Sequence, residues 1–456
     1  MSCAVALFTR DLRVRDQPAL AAAAREADRV VPLFVLDDAL LRGQCGAPNR
    51  ATFLLESLRD LDRSLRERGA RLVVRRGDPV TEALRVVREA GAGAIHLSDD
   101  YSAYARRRRE RLGRECERQG IRLCVHPGVT VAEPGELTPA GGDHYRVFTP
   151  YWRIWSEQPR CPRHPAPRRL ELPSGVRAGR IPALGKLTGG TPSPDLLEGG
   201  EAAARKRLER WLRGGLAGYE ESHDDLAGGE GTSRIGADLH FGCLSPAAVL
   251  ARVEGRDGGD AFARQLCWRD FHHQVLAARP ELPHADYRGH GDRWRRSKRL
   301  AEAWREGRTG YPIVDAGMRQ LQREGFMHNR ARMIVASFLT KTLYLDWRLG
   351  ADHFAGLLAD ADLANNVGNW QWVAGTGNDT RPNRVLNPLR QAQRFDPEGE
   401  YVRRYVPELA GVAGRSAHEP WTLAADERRA LDYPSPVVDH EEGAVRFRRL
   451  RESGRG

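Results

Sequence analysis

The hydrophobic periodicity of this chain changes kind partway along, and that change limits its fold more than any other feature. Over the first part, short apolar runs at Val5–Phe8, Val30–Leu36, Arg71–Val74, Ala94–Leu97 and Leu123–Val125 alternate with segments of helical spacing at 51–68, 79–90 and 102–119. Such alternation predicts a parallel sheet with crossover helices. Beyond residue 200, helical segments follow one another at 201–213, 246–253, 259–278, 312–324, 328–345 and 351–358. Alternating β-branched residues are rare there, so the second unit is predicted to be all-helical. Between the two the periodicity fades and Pro and Gly accumulate, as in Gln158-Pro159-Arg160-Cys161-Pro162 and Thr188-Gly189-Gly190-Thr191-Pro192. That stretch reads as a long interdomain connection packed on the surface. The expected organisation is a first domain at 1–130, a linker at 131–200 and a second domain at 201–450.

Charge narrows the partners. There are 72 Lys+Arg against 61 Asp+Glu, a net charge of +11, and almost all the cations are arginines. This favours phosphate groups or another anionic surface. The seven cysteines are scattered without a C-x-x-C pair, which argues against a disulfide framework and a zinc site and for a reducing compartment. The first apolar stretch is broken by Arg10 and Asp11, too early for a signal peptide, and no run approaches the ~20 residues of a membrane span. A soluble cytoplasmic protein without a membrane partner or a metal is expected. The first strand leads into Thr9-Arg10-Asp11-Leu12-Arg13 and not into G-x-G-x-x-G, so the usual dinucleotide fingerprint is absent.

Four constellations in the helical half could carry chemistry. Gly228-Gly229-Glu230-Gly231-Thr232-Ser233-Arg234 offers backbone N–H groups, two hydroxyls and a guanidinium, the parts that hold a phosphate; a glycine-rich turn before a helix is the alternative. His328 and Arg332 fall one turn apart on a helix, as do Asn329 and Met333, on either a solvated basic face or the wall of a cleft. Residues Ala359 to Trp372 set small residues, amides and two carboxylates against indoles. A calcium loop there fails, since Asn365 and Gln371 occupy the places of the required glycine and acid; a polar pocket for a flat heterocycle remains. Basic and aromatic residues interleave at 264–273, 293–296 and 381–394, the mixture that follows a phosphate backbone and stacks a base.

Taken in order, these residues resemble the DNA photolyase/cryptochrome family, and within it the bacterial class I cyclobutane-dimer photolyases. The resemblance covers nearly the whole chain and is densest from Gly310 to Pro407, through GYPIVDAGMRQL, MHNRARM, ASFLTKTLYLDW, DLANN, NWQWVAGTG, LNP and FDPEGEY. It implies an α/β, Rossmann-like parallel-sheet antenna domain followed by a larger all-α FAD-binding domain. It also implies a monomeric, light-driven enzyme that splits pyrimidine dimers in DNA by electron transfer from photoexcited reduced FAD.

The resemblance carries residue roles with it. Tyr219, Thr232, Ser233, Arg234, Ile235 and Gly236 match FAD-contacting positions, as do Arg332, Asp360, Ala361 and Asp362, while Asn365 matches the side chain that faces flavin N5. Trp294, Trp347 and Trp370 resemble the tryptophan relay between surface and flavin. His223, Gln265, Trp268, Arg269, His272, Asn329, Arg330 and Met333 match positions at the DNA and its damaged bases. For the antenna, 8-hydroxy-5-deazaflavin is expected, with methenyltetrahydrofolate as the alternative, at Phe34, Leu36, Asp37, Arg50 and Asp100.

Two positions depart from the family pattern. The T-S-x-x-S motif ends in Gly236 and loses its last hydroxyl. Gln265 stands where many dimer photolyases have glutamate, and an amide can donate a hydrogen bond but no proton. Gln also occurs there in enzymes acting on (6-4) photoproducts, yet those carry a His-His pair where this chain has His328-Asn329. A blue-light photoreceptor using the same flavin is the other reading, and only a short segment follows Pro407 to serve as a signalling extension.

Overall fold

A computed structural model describes residues 1–453 apart from 44, 45, 160, 161 and 230. Glu230 of the glycine-rich stretch and Arg160 and Cys161 of the Pro-rich stretch therefore lie outside the described residues.

Five parallel strands form the predicted sheet: β1 (Cys3–Phe8), β2 (Arg29–Asp37), β3 (Val73–Gly77), β4 (Ala94–Ser98) and β5 (Arg122–His126), in the order β3-β2-β1-β4-β5. Leu7 pairs with Leu33 on one side and Leu97 on the other, and such two-sided burial explains the continuous apolar runs. The third strand starts later than its apolar run because Leu72 N–H donates back to Asp62 of the helix Pro48–Arg66, at 2.9 Å. The crossover helix Pro79–Ala90 begins under an Asp78 cap and stops at Gly91, whose φ of 60° suits glycine. An unforeseen helix, Pro18–Glu26, is so rich in alanine that its apolar face has little contrast.

Winding reverses between β1 and β4, so the loops leaving these two strands flank a crevice at the carboxyl edge of the sheet, where α/β proteins place ligands. Arg10 and Asp11 follow β1; Asp99 and Asp100 follow β4.

Among the described residues of 131–200 one helix of substance, Phe148–Glu157, buries Phe148, Tyr151 and Trp155. Trp155 Nε1 donates to buried Asp270 at 2.9 Å, tying this segment to the helical unit. Further on the chain runs beside the sheet, with Val30 N–H bonded to Glu171 O and Val74 N–H to Ala178 O.

Helices make up the rest. Gly259–Ala278 is buried almost all round, and beside it lie Pro312–Glu324, Asn329–Ser337, Trp347–Leu357 and Leu363–Ala374. The helical run expected over 328–345 ends sooner: after Ser337 the chain widens into a π turn at Phe338–Thr342, and Tyr344 has a φ of 55°. The last helix, His440–Ser453, packs there, its Gly443 so near that a Cβ would lie 2.7 Å from Thr342 O. One apolar core joins the inner sheet face to the helices, with Phe53 stacked on Phe241 at 5.0 Å. Among the described residues no helix is long and apolar enough to cross a membrane.

Candidate flavin and DNA site

The stretch that read as a polar pocket contains a helix start. Asp362 caps Leu363–Ala374, its Oδ1 accepting from Asn365 N–H at 3.0 Å and from the Asn365 side-chain amide at 2.8 Å. This second bond leaves the Asn365 amide oxygen as an acceptor without a partner among the described residues. The other Asp362 oxygen receives Arg10 from the loop after β1 and faces His273 Nε2 at 3.5 Å and His240 Nδ1 at 3.7 Å. Burial by itself would raise the pKa of this carboxyl, but His273 and Arg10 hold it well below the usual carboxylate range.

Asp360 lies a few ångströms of chain away. Its Oδ2 accepts from Arg332 at 2.9 Å, and Arg332 is anchored to Met327 O at 2.8 Å. Its Oδ1 is buried without a partner. Opposite runs Thr232–Gly236. A Cβ on Gly236 would come within 2.5 Å of Asp360 Oδ2, so the side chain missing from the T-S-x-x-S motif leaves room that this carboxylate fills. Arg234, with a φ of 54°, pairs with Glu324 and lies over the Phe326 ring at 4.3 Å, while its Nε is buried without a partner. The Thr232 and Ser233 hydroxyls make no hydrogen bond among the described residues. Ile235 is buried, Ala361 is half-buried, and Tyr219 packs edge-on against Trp211 and Phe262.

Unpaired hydroxyls, a partnerless guanidinium nitrogen and a buried carboxylate oxygen on facing walls suit a ligand that carries both anionic and heterocyclic parts. A flavin dinucleotide meets that description. Arg10, His240 and His273 complete the wall; the sequence reading assigned none of them to it, although His273 closes the basic and aromatic stretch 264–273. The position of Arg10 after β1, at the winding reversal, was the available signal.

Trp347 is fully buried and donates from Nε1 to Asp286 at 2.9 Å. Gly350, on the next turn of the same helix, backs onto Trp370: a Cβ there would meet the indole at 2.1 Å. Trp294 is half-buried and leans on Tyr344 with 5.1 Å between ring centres, at a groove edged by Arg293, Arg295 and Arg296. Tyr344 is a further aromatic neighbour that the sequence reading did not single out.

Gln265 and Trp268 share the outward side of Gly259–Ala278, Gln265 exposed and Trp268 stacked on Phe148 at 3.7 Å. One turn on, His272 stacks on Trp268 and abuts Gly368, where a Cβ would lie 2.3 Å from its Nδ1. The Trp268 face thus reaches the helix that carries Asn365. Asn329 is exposed and Met333 half-buried at the start of Asn329–Ser337. Arg330 is held by Asp224, with Nε to Oδ1 at 3.1 Å, and His223 lies next to that pair. Arg269 points inward: it is 7% exposed and donates to Val129 O and Leu239 O, so it braces the backbone and presents no guanidinium to a phosphate.

The antenna set divides similarly. Phe34, Leu36 and Asp37 are buried in β2, and Asp37 accepts from Tyr104. Arg50 is buried and donates to Ala355 O and Leu358 O of the helical unit. Asp100 faces Arg10 at 3.6 Å in the crevice.

Comparison with known proteins agrees with this geometry. Residues 4–171 match the family described as DNA photolyase, and residues 262–452 match the FAD binding domain of DNA photolyase. A deoxyribodipyrimidine photo-lyase of Streptomyces griseus is 54% identical over 455 residues, covering 99% of both chains. The fold superposes on a bacterial class III photolyase from Agrobacterium tumefaciens with a TM-score of 0.93 at 33% identity, covering 100% of this chain and 98% of that one. It superposes on a Synechocystis cryptochrome with a TM-score of 0.91 at 28% identity, covering 99% of each. Sheet order, helical unit, flavin-type wall and near full-length identity converge, and the chain belongs to the DNA photolyase/cryptochrome family.

Proposed function

We propose that this protein is a light-driven deoxyribodipyrimidine photo-lyase that splits cyclobutane pyrimidine dimers in DNA. The observation that carries the reading is the wall formed by Asp360, Asp362 and Asn365 against Thr232–Gly236, adjoining the Trp268–His272 face. FAD, when bound fully reduced, would supply the light-driven electron transfer that such repair requires.

The protein's own residues position and protect. Thr232, Ser233 and Arg234 would hold the diphosphate, Arg332–Asp360 and Arg10–Asp362 would fix charge around the heterocycle, and the Asn365 amide oxygen would offer the ring an acceptor. Trp268, stacked on Phe148, offers a plane for a flipped base, and Gln265 donates a hydrogen bond to it. Asn329, Met333 and His272 border the same opening, while Asp224 presets the Arg330 guanidinium. Trp370, Trp347 and Trp294 lead from that wall to the surface. The basic balance of the chain supplies sequence-independent affinity for DNA.

Class I membership, 8-hydroxy-5-deazaflavin as antenna, a monomeric state and a cytoplasmic site of action are parts of the same proposal. The motif run from Gly310 to Pro407 supports the class. Asp100, set beside Arg10 in the sheet crevice, supports an antenna held next to the flavin wall. The Synechocystis likeness favours a photoreceptor as the second reading.

The deciding experiment photoreduces the purified protein and illuminates it with a dimer-containing oligonucleotide, following the return of thymine absorbance against a dark control. Light-dependent return is expected. Normal photoreduction without return would overturn dimer repair in favour of the photoreceptor.

A further inference from the structure

A second cluster of ligand-type side chains lies in the sheet domain, over β4 and β5. His96 on β4 pairs in register with Cys124 on β5, so both side chains emerge on one face, and His126, two residues on, emerges there too. The helix Pro18–Glu26 ends over this face and delivers Glu26. One ligand atom each from Glu26, His96 and Cys124 lies within 4.8 Å of the other two, and His96 Nε2 is 3.8 Å from the Glu26 carboxylate.

Its most telling group is His96. The side chain is wholly buried, and its Nε2 has no hydrogen-bond partner. Nδ1 is engaged with His126 Nε2 at 3.0 Å. With His126 accepting, the His96 proton sits on Nδ1 and the lone pair of Nε2 points at Glu26 and Cys124. An outer partner that fixes the tautomer in this way is how metal-ligating histidines are commonly held. Burial also lowers the pKa of both imidazoles, which favours neutral rings. Arg122 donates to the Glu26 oxygen at 2.6 Å, the outer-shell support a ligating carboxylate usually has, and Arg25 and His164 stand near His126.

We propose that Glu26, His96 and Cys124 form a site for a divalent, borderline-soft cation of the zinc type, with His126 as its outer-shell partner and water in the fourth position. One imidazole, one thiolate and one carboxylate suit a tetrahedral ion with bonds of about 2.0–2.3 Å, and side-chain rotation closes the present spacing. Binding releases the Cys124 thiol proton to solvent, and the two anionic ligands neutralise the ion; no electron is transferred. The ion would clamp the edge strand β5 to the end of the first helix.

The test uses tag-free full-length protein, stripped with a chelator, exposed to zinc chloride, passed through gel filtration and assayed for metal by mass spectrometry. About one zinc per chain is expected, with a thermal midpoint that rises with zinc concentration. Cys124→Ser and the partly exposed Glu26→Gln should each lose the bound zinc, Cys3→Ser should keep it, and His126→Phe should bind roughly ten- to a hundredfold more weakly. Cobalt(II) added to the wild type should give a thiolate charge-transfer band, a readout that depends on no variant. No retained zinc and no such band, or equal retention by the Cys124 and Glu26 variants, overturns the site and leaves the flavin reading untouched.

Discussion

Arg10 and Asp362 form an ion pair between the two units: the arginine leaves β1 of the sheet, and the carboxylate caps the helix that carries Asn365. The same guanidinium faces Asp100 at 3.6 Å. One residue thereby links the sheet crevice to the wall proposed to hold flavin, and its removal leaves Asp362 buried with less than its charge balance. Arg10→Ala should cost about 3 kcal/mol, the usual effect of breaking a buried pair, and lower flavin retention. Denaturant unfolding and the flavin-to-protein absorbance ratio check both, and Arg10→Lys should retain more flavin than Arg10→Ala.

Restoring the hydroxyl at position 236 should harm this protein. A Cβ there lies 2.5 Å from Asp360 Oδ2, so Gly236→Ser must push Asp360 off Arg332. Overpacking of this kind costs about 1–3 kcal/mol. Flavin affinity measured by reconstitution of the apoprotein should fall at least several-fold; unchanged affinity would mean that the carboxylate moves freely.

Gln265 is exposed beside Trp268 and can donate a hydrogen bond but not a proton. Gln265→Glu should raise repair turnover while leaving the affinity for dimer-containing DNA as it was. Equal turnover in the two proteins would show that proton donation at this position does not limit the reaction.

Acid should destabilise the fold early. Burial pushes the pKa of His272, His328 and His353 down to about 4 from an ordinary 6.5. The unfolded chain then binds more protons than the native one between these values, so this contribution is present above pH 6.5 and is lost as pH falls towards 4. Glu133 and Asp238, raised by burial to about 7 and about 6, work in the opposite direction and offset part of this slope. Thermal midpoints should therefore drop across this window, and His353→Gln should flatten the slope.

Much of the fold was legible because periodicity is a local property. All five strands lie near their apolar runs, and helices such as Pro79–Ala90 and Gly259–Ala278 match their spacing. Pro18–Glu26 was missed for want of contrast. The continuous helix expected to 345 was wrong because a π turn intervenes where the last helix packs. At the candidate site, motif residues such as Asp360, Asp362, Asn365 and Arg332 come together. Arg269 turns inward, Arg10 and His240 arrive from elements with no motif to mark them, and His273 comes from a stretch read as facing DNA.

The sequence by itself determined the two-part architecture, the basic balance and the family, since these rest on spacing, composition and ordered motifs. Only the tertiary structure decided which polar atoms remain unpartnered, that Asp360 fills the room left by Gly236, and that Glu26, His96 and Cys124 meet. The physical reason is that strand order and helix packing bring together side chains remote in the chain, and whether a buried polar atom has a partner depends on those neighbours.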